Sequence, residues 1–410
     1  MSEGLRGWRE YHLNEIYTFA SGLSKSRDQF GFGFPFLSFK DVFNNFFLPK
    51  KLGNLANTSI KERLQCSIKK GDVFLTRTSE TQEELGMSSV ALIDYPEATF
   101  NGFTKRLRPI GHIDVWPEYT GYYFRSPYFR ATVTSMSSMT TRASLNNDMM
   151  SALKIMVPPL PEQKAIANVL SSLDNKIDLL HRQNKTLESM AETLFRHWFI
   201  EEAHEGWIDT TLDCHSEVMR GLSYKGSGLS DSGFGIPMHN LNSVYEGGGY
   251  KEVGIKYYRD KFKERHLVRN GEIIVANTEQ GHEFKLIGCP AIVPSFYGEK
   301  GLFSQHIYRV ILKEKSYLTT EYLYYLLLTP SVREQIISAT NGSTVNMLAI
   351  DGLQRPKFKL PPKEKVVEFS ELVKSWWKKK DVNHLQIRTL EKLRDTLLPK
   401  LMSGEVTVIN

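Results

Sequence analysis

The sequence predicts an α+β protein: two mixed α/β globules separated by two long helices that form an intramolecular antiparallel coiled coil, the whole built on an internal pseudo-twofold repeat. Three observations predict it. The chain matches itself along nearly its full length at a separation near 200 residues. Each copy ends in a proline-rich punctuation, VPPLPEQKAIA from Val157 to Ala167 and LPPKEK from Leu360 to Lys365. After each punctuation comes an apolar seam with helical spacing.

The repeat is colinear. Trp8 and Leu13 recur as Trp207 and Leu212, and Gly22-Leu23-Ser24 as Gly221-Leu222-Ser223, both 199 residues on. At 200, Lys70-Gly71-Asp72-Val73-Phe74-Leu75 becomes Asn270-Gly271-Glu272-Ile273-Ile274-Val275, and Ser144-Leu145-Asn146 becomes Thr344-Val345-Asn346. At 203, Pro158-Pro159 becomes Pro361-Pro362 and Thr186-Leu187-Glu188 becomes Thr389-Leu390-Glu391. The order of these matches divides the chain into a first globule over 1–157, a first long helix over 158–200, a second globule over 201–359, and a second long helix with its tail over 360–410.

Within each globule, short apolar runs bounded by Gly, Pro and Asn (GDVFLTR, VALID, GEIIVAN, CPAIV, HIYRVIL) read as strands, joined by short helices such as 322–328. At the joint, Pro158 and Pro159 lack donors and push their predecessors out of helical geometry. Pro161 suits a first helical turn, and Glu162 suits the positive end of the helix dipole. The seam then runs Ile166, Leu170, Leu173, Ile177, Leu180, Asn184, Leu187, Ala191, Leu194 and Trp198, in alternating steps of four and three. That is a coiled-coil pattern over more than four heptads. A helix of about 38 residues is ~57 Å long at 1.5 Å per residue. Its stripe needs a partner, and Phe369, Val373, Trp376, Ile387, Leu390, Leu397 and Leu401 provide one, although Lys380, Asn383 and Arg394 fall on the second seam. A duplicated pair packs most naturally about a twofold axis, which makes the helices antiparallel and puts the globules at opposite ends of a rod. With the axis near residue 182, Asn184 comes opposite Asn383. A buried amide pair fixing the register and two solvated amides at a loosened seam are both open readings.

Composition narrows the classes. With 41% hydrophobic and 24% charged residues in 410, the chain suits ordinary folded domains. No apolar run approaches ~20 residues, and the start MSEGLRGWREYHL lacks a secretory layout, so a cytoplasmic protein without membrane attachment is expected. Cys66, Cys214 and Cys289 fit no disulfide or metal spacing and are expected as free thiols, with no metal or cofactor. The net charge is +6, yet 1–157 holds 19 basic against 15 acidic residues and 201–359 holds 18 against 19. Nucleic acid, if bound, must therefore meet a local surface.

The run VPPLPEQKAIANVLSSLDNKIDLL, the repeat, and the two variable globules joined by heptad helices resemble the specificity subunit of type I restriction-modification enzymes. The second joint departs from the pattern, with Lys363-Glu364-Lys365 where the first has Leu160-Pro161-Glu162. The resemblance implies that each globule reads one half of a bipartite, asymmetric site on double-stranded DNA. It implies that the helices set the spacer and dock two methyltransferase subunits, that restriction-translocation subunits join for cleavage, and that the subunit performs no chemistry. The residues agree with the last point. The Pro-Pro sites follow Val157 and Leu360 rather than the Asn or Asp of an amino-methyltransferase motif, no phosphate-cradling G-x-x-x-x-G-K-[ST] loop occurs, and His204-Glu205 and His282-Glu283 lack the second histidine of a zinc helix.

Three pairs of segments are candidates for DNA contact. The loop after GDVFL carries Arg77, Thr78 and Ser79, and its counterpart carries Asn277, Thr278, Glu279 and Gln280; Arg pairs with guanine, Asn and Gln with adenine, and Glu with cytosine, while a solvated loop is the competing reading. In the Gly-rich pair, Lys25, Arg27 and Lys225 suit phosphates, against a plain turn. The third pair offers Arg142 and Ser343, with Asn146 and Asn346 expected as helix caps. Lys105, Arg106 and Arg108, without an equivalent in the second half, read as a solvated basic face. Trp376-Trp377-Lys378-Lys379-Lys380 reads as a snorkelling helix face, or else as a docking or phosphate surface. The rival to a DNA reader is a coiled-coil scaffold with two protein-binding globules; a self-contained DNA-modifying enzyme is the third reading.

Overall fold

The computed structural model describes residues 7–78, 81, 84–137, 144–280, 283–341 and 345–408. The chain forms two compact units, residues 1–178 with 388–410, and residues 179–387, so each takes part of both long helices.

The first unit contains β1 (Arg9–His12), α1 (Leu13–Ile16), β2 (Tyr17–Ser21), β3 (Phe30–Leu37), α2 (Phe39–Asn44), β4 (Asn54–Ala56), α3 (Ile60–Gln65), β5 (Val73–Thr76), β6 (Ser88–Val90), β7 (Thr99–Phe100), β8 (Thr104–Pro109), α4 (Pro117–Tyr123), α5 (Pro127–Ser137), α6 (Asn147–Ala152), β9 (Lys154–Val157) and the start of α7 (Leu160–Arg196). Its main sheet has the order β2-β8-β5-β6, a smaller one β4-β3-β7, and β1 pairs antiparallel with β9. Every residue of β5 is buried, which explains why GDVFLT reads as a continuous apolar run rather than an alternation. Ser38 and Ser59 start α2 and α3 as capping boxes with Asp41 and Glu62.

The second unit contains β10 (Ile208–Thr211), α8 (Leu212–His215), β11 (Ser216–Arg220), β12 (Leu229–Ser230), β13 (Ile236–His239), β14 (Lys256–Tyr258), β15 (Leu267–Arg269), β16 (Ile273–Ala276), β17 (Thr278–Gln280), β18 (Pro290–Ile292), β19 (Lys300–Phe303), β20 (Ile307–Leu312), α9 (Thr320–Leu328), α10 (Pro330–Ser338), β21 (Thr340–Asn341), β22 (Val345–Leu348), α11 (Ile350–Gln354), β23 (Lys357–Leu360) and most of α12 (Lys363–Met402). The main sheet is β11-β20-β16-β18, matching the first unit strand for strand. Backbone bonds repeat as well. Leu13 N donates to Leu153 O as Leu212 N does to Pro356 O, and Gly71 N to Ala91 O as Gly271 N does to Val293 O.

The joint is built by the residues that mark it in sequence. Glu162 accepts from Trp8 Nε1 at 3.0 Å, while Gln163 accepts from Trp116 N at 2.7 Å and donates to Asp114 O and Pro158 O. The second joint keeps the tryptophan and changes the contact. Lys365, at the place of Glu162, holds its ammonium 6.0 Å from the Trp207 ring and pairs with Glu202 at 3.0 Å. A hydrogen bond is replaced by a cation–π contact between the same two positions.

The two helices pack antiparallel in each unit. In the first, Ile166, Ala167 and Leu170 share a core with Leu398, Leu401 and Met402, and Asp174 meets Arg394 at 2.9 Å. In the second, Glu202 meets Lys365, Glu188 meets Lys380, and Asn383 Nδ2 donates to Asn184 Oδ1 at 2.8 Å, so positions rise on one helix as they fall on the other. All three polar residues on the second seam thus have a partner across it. The amide pair is buried, Asn184 at 7% and Asn383 at 0% exposure, so the register-fixing reading holds. The tryptophans at 376 and 377 do not form a snorkelling face: both pack against the second unit's core, and Trp377 Nε1 donates to Tyr325 Oη at 3.3 Å.

Asn383→Leu removes the donor that the buried Asn184 oxygen accepts from and is expected to cost about 1–3 kcal/mol in chemical denaturation. The double variant Asn184→Leu/Asn383→Leu regains most of that loss, because removing both amides leaves neither one buried without its partner. Equal stability of the single variant and the native chain would remove the seam role.

Candidate nucleic-acid interface

The three candidate segments meet at one tip in each unit. In the first, the turn between β7 and β8 gathers them: Leu23 N donates to Phe100 O, Gly102 N to Leu23 O, Arg77 N to Phe103 O, and Leu145 N to Arg77 O. Gly22 is required there, since a Cβ would lie 2.3 Å from Asn101 O. In the second, Leu222 N donates to Phe303 O, Gln305 N to Leu222 O, Asn277 N to His306 O, and Leu348 N to Asn277 O. Gly221 plays the same part, its added Cβ falling 2.2 Å from Ser304 O. The scaffold is common and the side chains it displays are not.

In the first unit Arg77 is partly exposed, and its guanidinium has no hydrogen-bond partner among the described residues. Beside it Lys105 Nζ is held by Ser21 Oγ and Asn147 Oδ1, both at 2.9 Å. Burial and the nearby Arg77 charge push the Lys105 ammonium below its usual range. The Arg77 guanidinium, without a carboxylate partner among the described residues, makes this tip attractive to anions. Thr78 bridges Ser144. Arg27 is exposed on a short turn, whereas Lys25 is tied to Glu62 at 2.7 Å, where the ammonium and the cap bonds hold the carboxyl down at about 2. Ser79 and Arg142 lie outside the described residues, as does Ser343.

The second unit corrects the expected reading loop. Asn277, Thr278 and Glu279 are buried rather than displayed. Asn277 Nδ2 donates to Gln305 O at 3.0 Å, Thr278 Oγ1 meets His306 Nδ1 at 3.3 Å, and the Glu279 carboxylate accepts from the amides of Lys285, Leu286 and Ile287 at 2.8–2.9 Å. These groups organise the tip. Gln280 lies on β17 opposite Val345, and Lys225 is exposed.

Two further expectations change. Asn146 caps α6, accepting from Met149 N at 2.8 Å, but Asn346 lies buried on β22 opposite Glu279. The repeat offset here is 203, not 200: Leu145 matches Leu348 in its bond to the reading loop, so Ala349 takes the cap position before α11. The basic cluster is internal rather than solvated. Arg106 Nη1 donates to Ser67 O at 2.5 Å, and Arg108 pairs with buried Asp72 at 2.6 Å. Its counterpart does exist, as Arg309 on β20 pairs with Glu272 at 2.5 Å.

Sequence reading passed over the tip residues themselves. Gly102 and Phe103 stand where Gln305 and His306 stand in the second unit, and Phe103 is 61% exposed. Val345 and Met347 are also exposed on β22. The available signal was position: both pairs directly precede a strand that the repeat keeps.

Beneath the second tip, His239 O accepts from Ser304 N, and its buried imidazole meets Tyr250 Oη at 2.7 Å. Desolvation pushes its pKa down to about 3. Below the unfolded value near 6.5 the unfolded chain binds a proton that the folded chain refuses, so stability present above pH 6.5 is lost as pH falls towards 3. His239→Gln is expected to flatten the pH dependence of denaturation across this window by up to about 1.4 kcal/mol per pH unit; an unchanged slope would contradict a buried neutral imidazole.

The family model for the type I restriction modification DNA specificity domain matches residues 6–189 and 235–392. The chain is 25% identical to the type I restriction enzyme MjaIX specificity subunit of Methanocaldococcus jannaschii, covering 98% of this chain and 94% of the relative. It is 23% identical to the HindI specificity subunit of Haemophilus influenzae, covering 97% and 99%. The crystal structure of a type I restriction-modification S subunit from M. genitalium shares the fold, with a TM-score of 0.59 at 14% identity over 96% of both chains. Among the described residues no helix is long and apolar enough to cross a membrane. With its two matched regions spanning most of the sequence, this chain belongs to the family of type I restriction-modification DNA specificity subunits.

Proposed function

We propose that this chain is the DNA-recognition subunit of a type I restriction-modification complex. Residues 1–157 and 201–359 would be the two target-recognition domains, each reading one half of a bipartite site, and 158–200 with 360–410 the spacer helices. The observation that carries the reading is the pair of tips: the same backbone bonds gather the same three segments in each unit, and the side chains presented differ. Two readers of unlike half-sites need that combination. In the first, Arg77 is suited to a guanine edge and Arg27 to phosphate. In the second, Lys225 is suited to phosphate, and Gln305 and His306 to base edges.

The chain itself would do no chemistry, leaving methylation and cleavage to methyltransferase and restriction-translocation subunits. Exposed apolar side chains on the helices support such docking. Leu179, Met190, Leu372, Val382 and Leu385 each keep about two-fifths or more of their surface in contact with solvent. Exposed apolar side chains on a pair of helices are what a partner helix would cover.

Methylation mapping by single-molecule sequencing, in cells expressing this chain with its methyltransferase, is expected to return a bipartite motif. Exchanging residues 1–157 for those of a relative changes one half-site only. In the reconstituted methyltransferase complex, Arg77→Ala costs about 1–3 kcal/mol in DNA binding and relaxes one base position of that half-site. A change in both half-sites on the exchange, or affinity for duplex DNA indifferent to salt, would overturn the reading and favour a protein-binding scaffold.

A further inference from the structure

The two units part company at one place where the repeat is otherwise kept. In the first unit Phe46 and Phe47 run along β6, where Phe47 bridges Val90, and their rings pack on Tyr122 at 5.6 and 5.3 Å. Gly121 makes the room, since a Cβ there would lie 2.3 Å from the Phe47 ring. The Arg394 guanidinium stands 5.8 Å from the Phe46 ring and is paired with Asp174 and Asp395. Two rings and one cation fill the space between sheet, helix and seam.

In the second unit the corresponding wall, β18 and α9, faces three glycines, with Gly249 N donating to Pro290 O at 2.9 Å. By the 203-residue offset, Tyr324 stands where Gly121 does, Ala191 replaces Arg394, and Glu192 is the counterpart of Asp395. Glu192 has no hydrogen bond or ion pair among the described residues. What remains is a cavity of about 520 Å³, within the range of small-molecule sites.

Its lining has a definite chemistry. Tyr324 and Trp377 supply aromatic walls, and four carboxylates (Glu188, Glu192, Glu252 and Asp381) face two lysines, Lys185 and Lys380. Lys380 is already engaged by Glu188. The buried Asn184 also borders the cavity, and its Nδ2 has no hydrogen-bond partner among the described residues. Turning both seam amides over keeps their mutual bond and presents an oxygen instead, so this position serves a donor or an acceptor.

We propose that this cavity binds a small organic cation with a planar aromatic body, which supplies from outside the rings and the positive charge that Phe46, Phe47 and Arg394 supply within the first unit. Aromatic walls and an unpaired carboxylate are the two elements that recognise such a ligand. The site is independent of DNA reading.

Benzamidine is the probe, titrated calorimetrically into the full chain. The expected result is saturable one-to-one binding, with benzamide, its neutral isostere, at least about tenfold weaker. Glu192→Gln, a substitution at an exposed helix position that leaves the fold intact, raises the benzamidine Kd about tenfold and leaves benzamide unchanged. Absence of saturable benzamidine binding, equal affinity for benzamide, or a Glu192→Gln variant that binds benzamidine like the native chain would each overturn the proposal.

Discussion

A helix of forty residues with one apolar stripe is not stable alone in water, and most of its stability must come from what covers the stripe. Here the cover comes from the same chain, and the cross-seam contacts settle which residue meets which. A purely apolar seam tolerates slippage by a heptad at little cost, whereas a buried amide that loses its partner does not. Asn184 and Asn383 therefore exclude the neighbouring registers, with Lys380–Glu188 beside them and Arg394–Asp174 in the other unit acting to the same end. The polar residues that weaken the second seam as an apolar pattern are the ones that specify it.

The joints carry this order into the globules. Glu162 and Gln163 bind the first turn of α7 to Trp8, Trp116 and Asp114, so the helix direction is set by the sheet-bearing part of its own unit. Lys365 achieves a comparable tie through Trp207 and Glu202. The position is kept while the interaction type changes sign, from a carboxylate accepting an indole N–H to an ammonium near an indole ring. A duplicated architecture can thus drift chemically without losing its geometry, provided each substitution finds a contact of similar strength.

The architecture was legible because it rests on periodicities that survive in sequence: a 200-residue repeat, steps of four and three, and prolines at the joints. The tips were legible only in part. Reading Asn277 and Glu279 as displayed residues followed from residue type, but their burial depends on the loop at 285–287 folding back so that three amides converge on one carboxylate, which no local pattern encodes. Asn346 went astray for a related reason. The offset had already drifted to 203 by β20, and an alignment anchored on the shared Asn of two short motifs could not see that Leu348, not Val345, bonds to the reading loop. The Lys105–Arg108 cluster misled because alternation on a strand places charges beside buried carboxylates and carbonyls as readily as beside water.

That burial bears on how DNA affinity is distributed. The first globule has a surplus of basic residues, but Arg106 and Arg108 are spent on Ser67 and Asp72, and Lys25 on Glu62. The second globule has no surplus at all. Non-specific affinity grows with the number of phosphates neutralised, so each cation committed within the fold is one fewer for the DNA backbone. Selectivity benefits from this arrangement, because a reader that held any duplex tightly through its backbone would dwell on wrong sequences. On the function proposed for the two tips, base contacts there rather than backbone contacts decide where the chain rests on DNA.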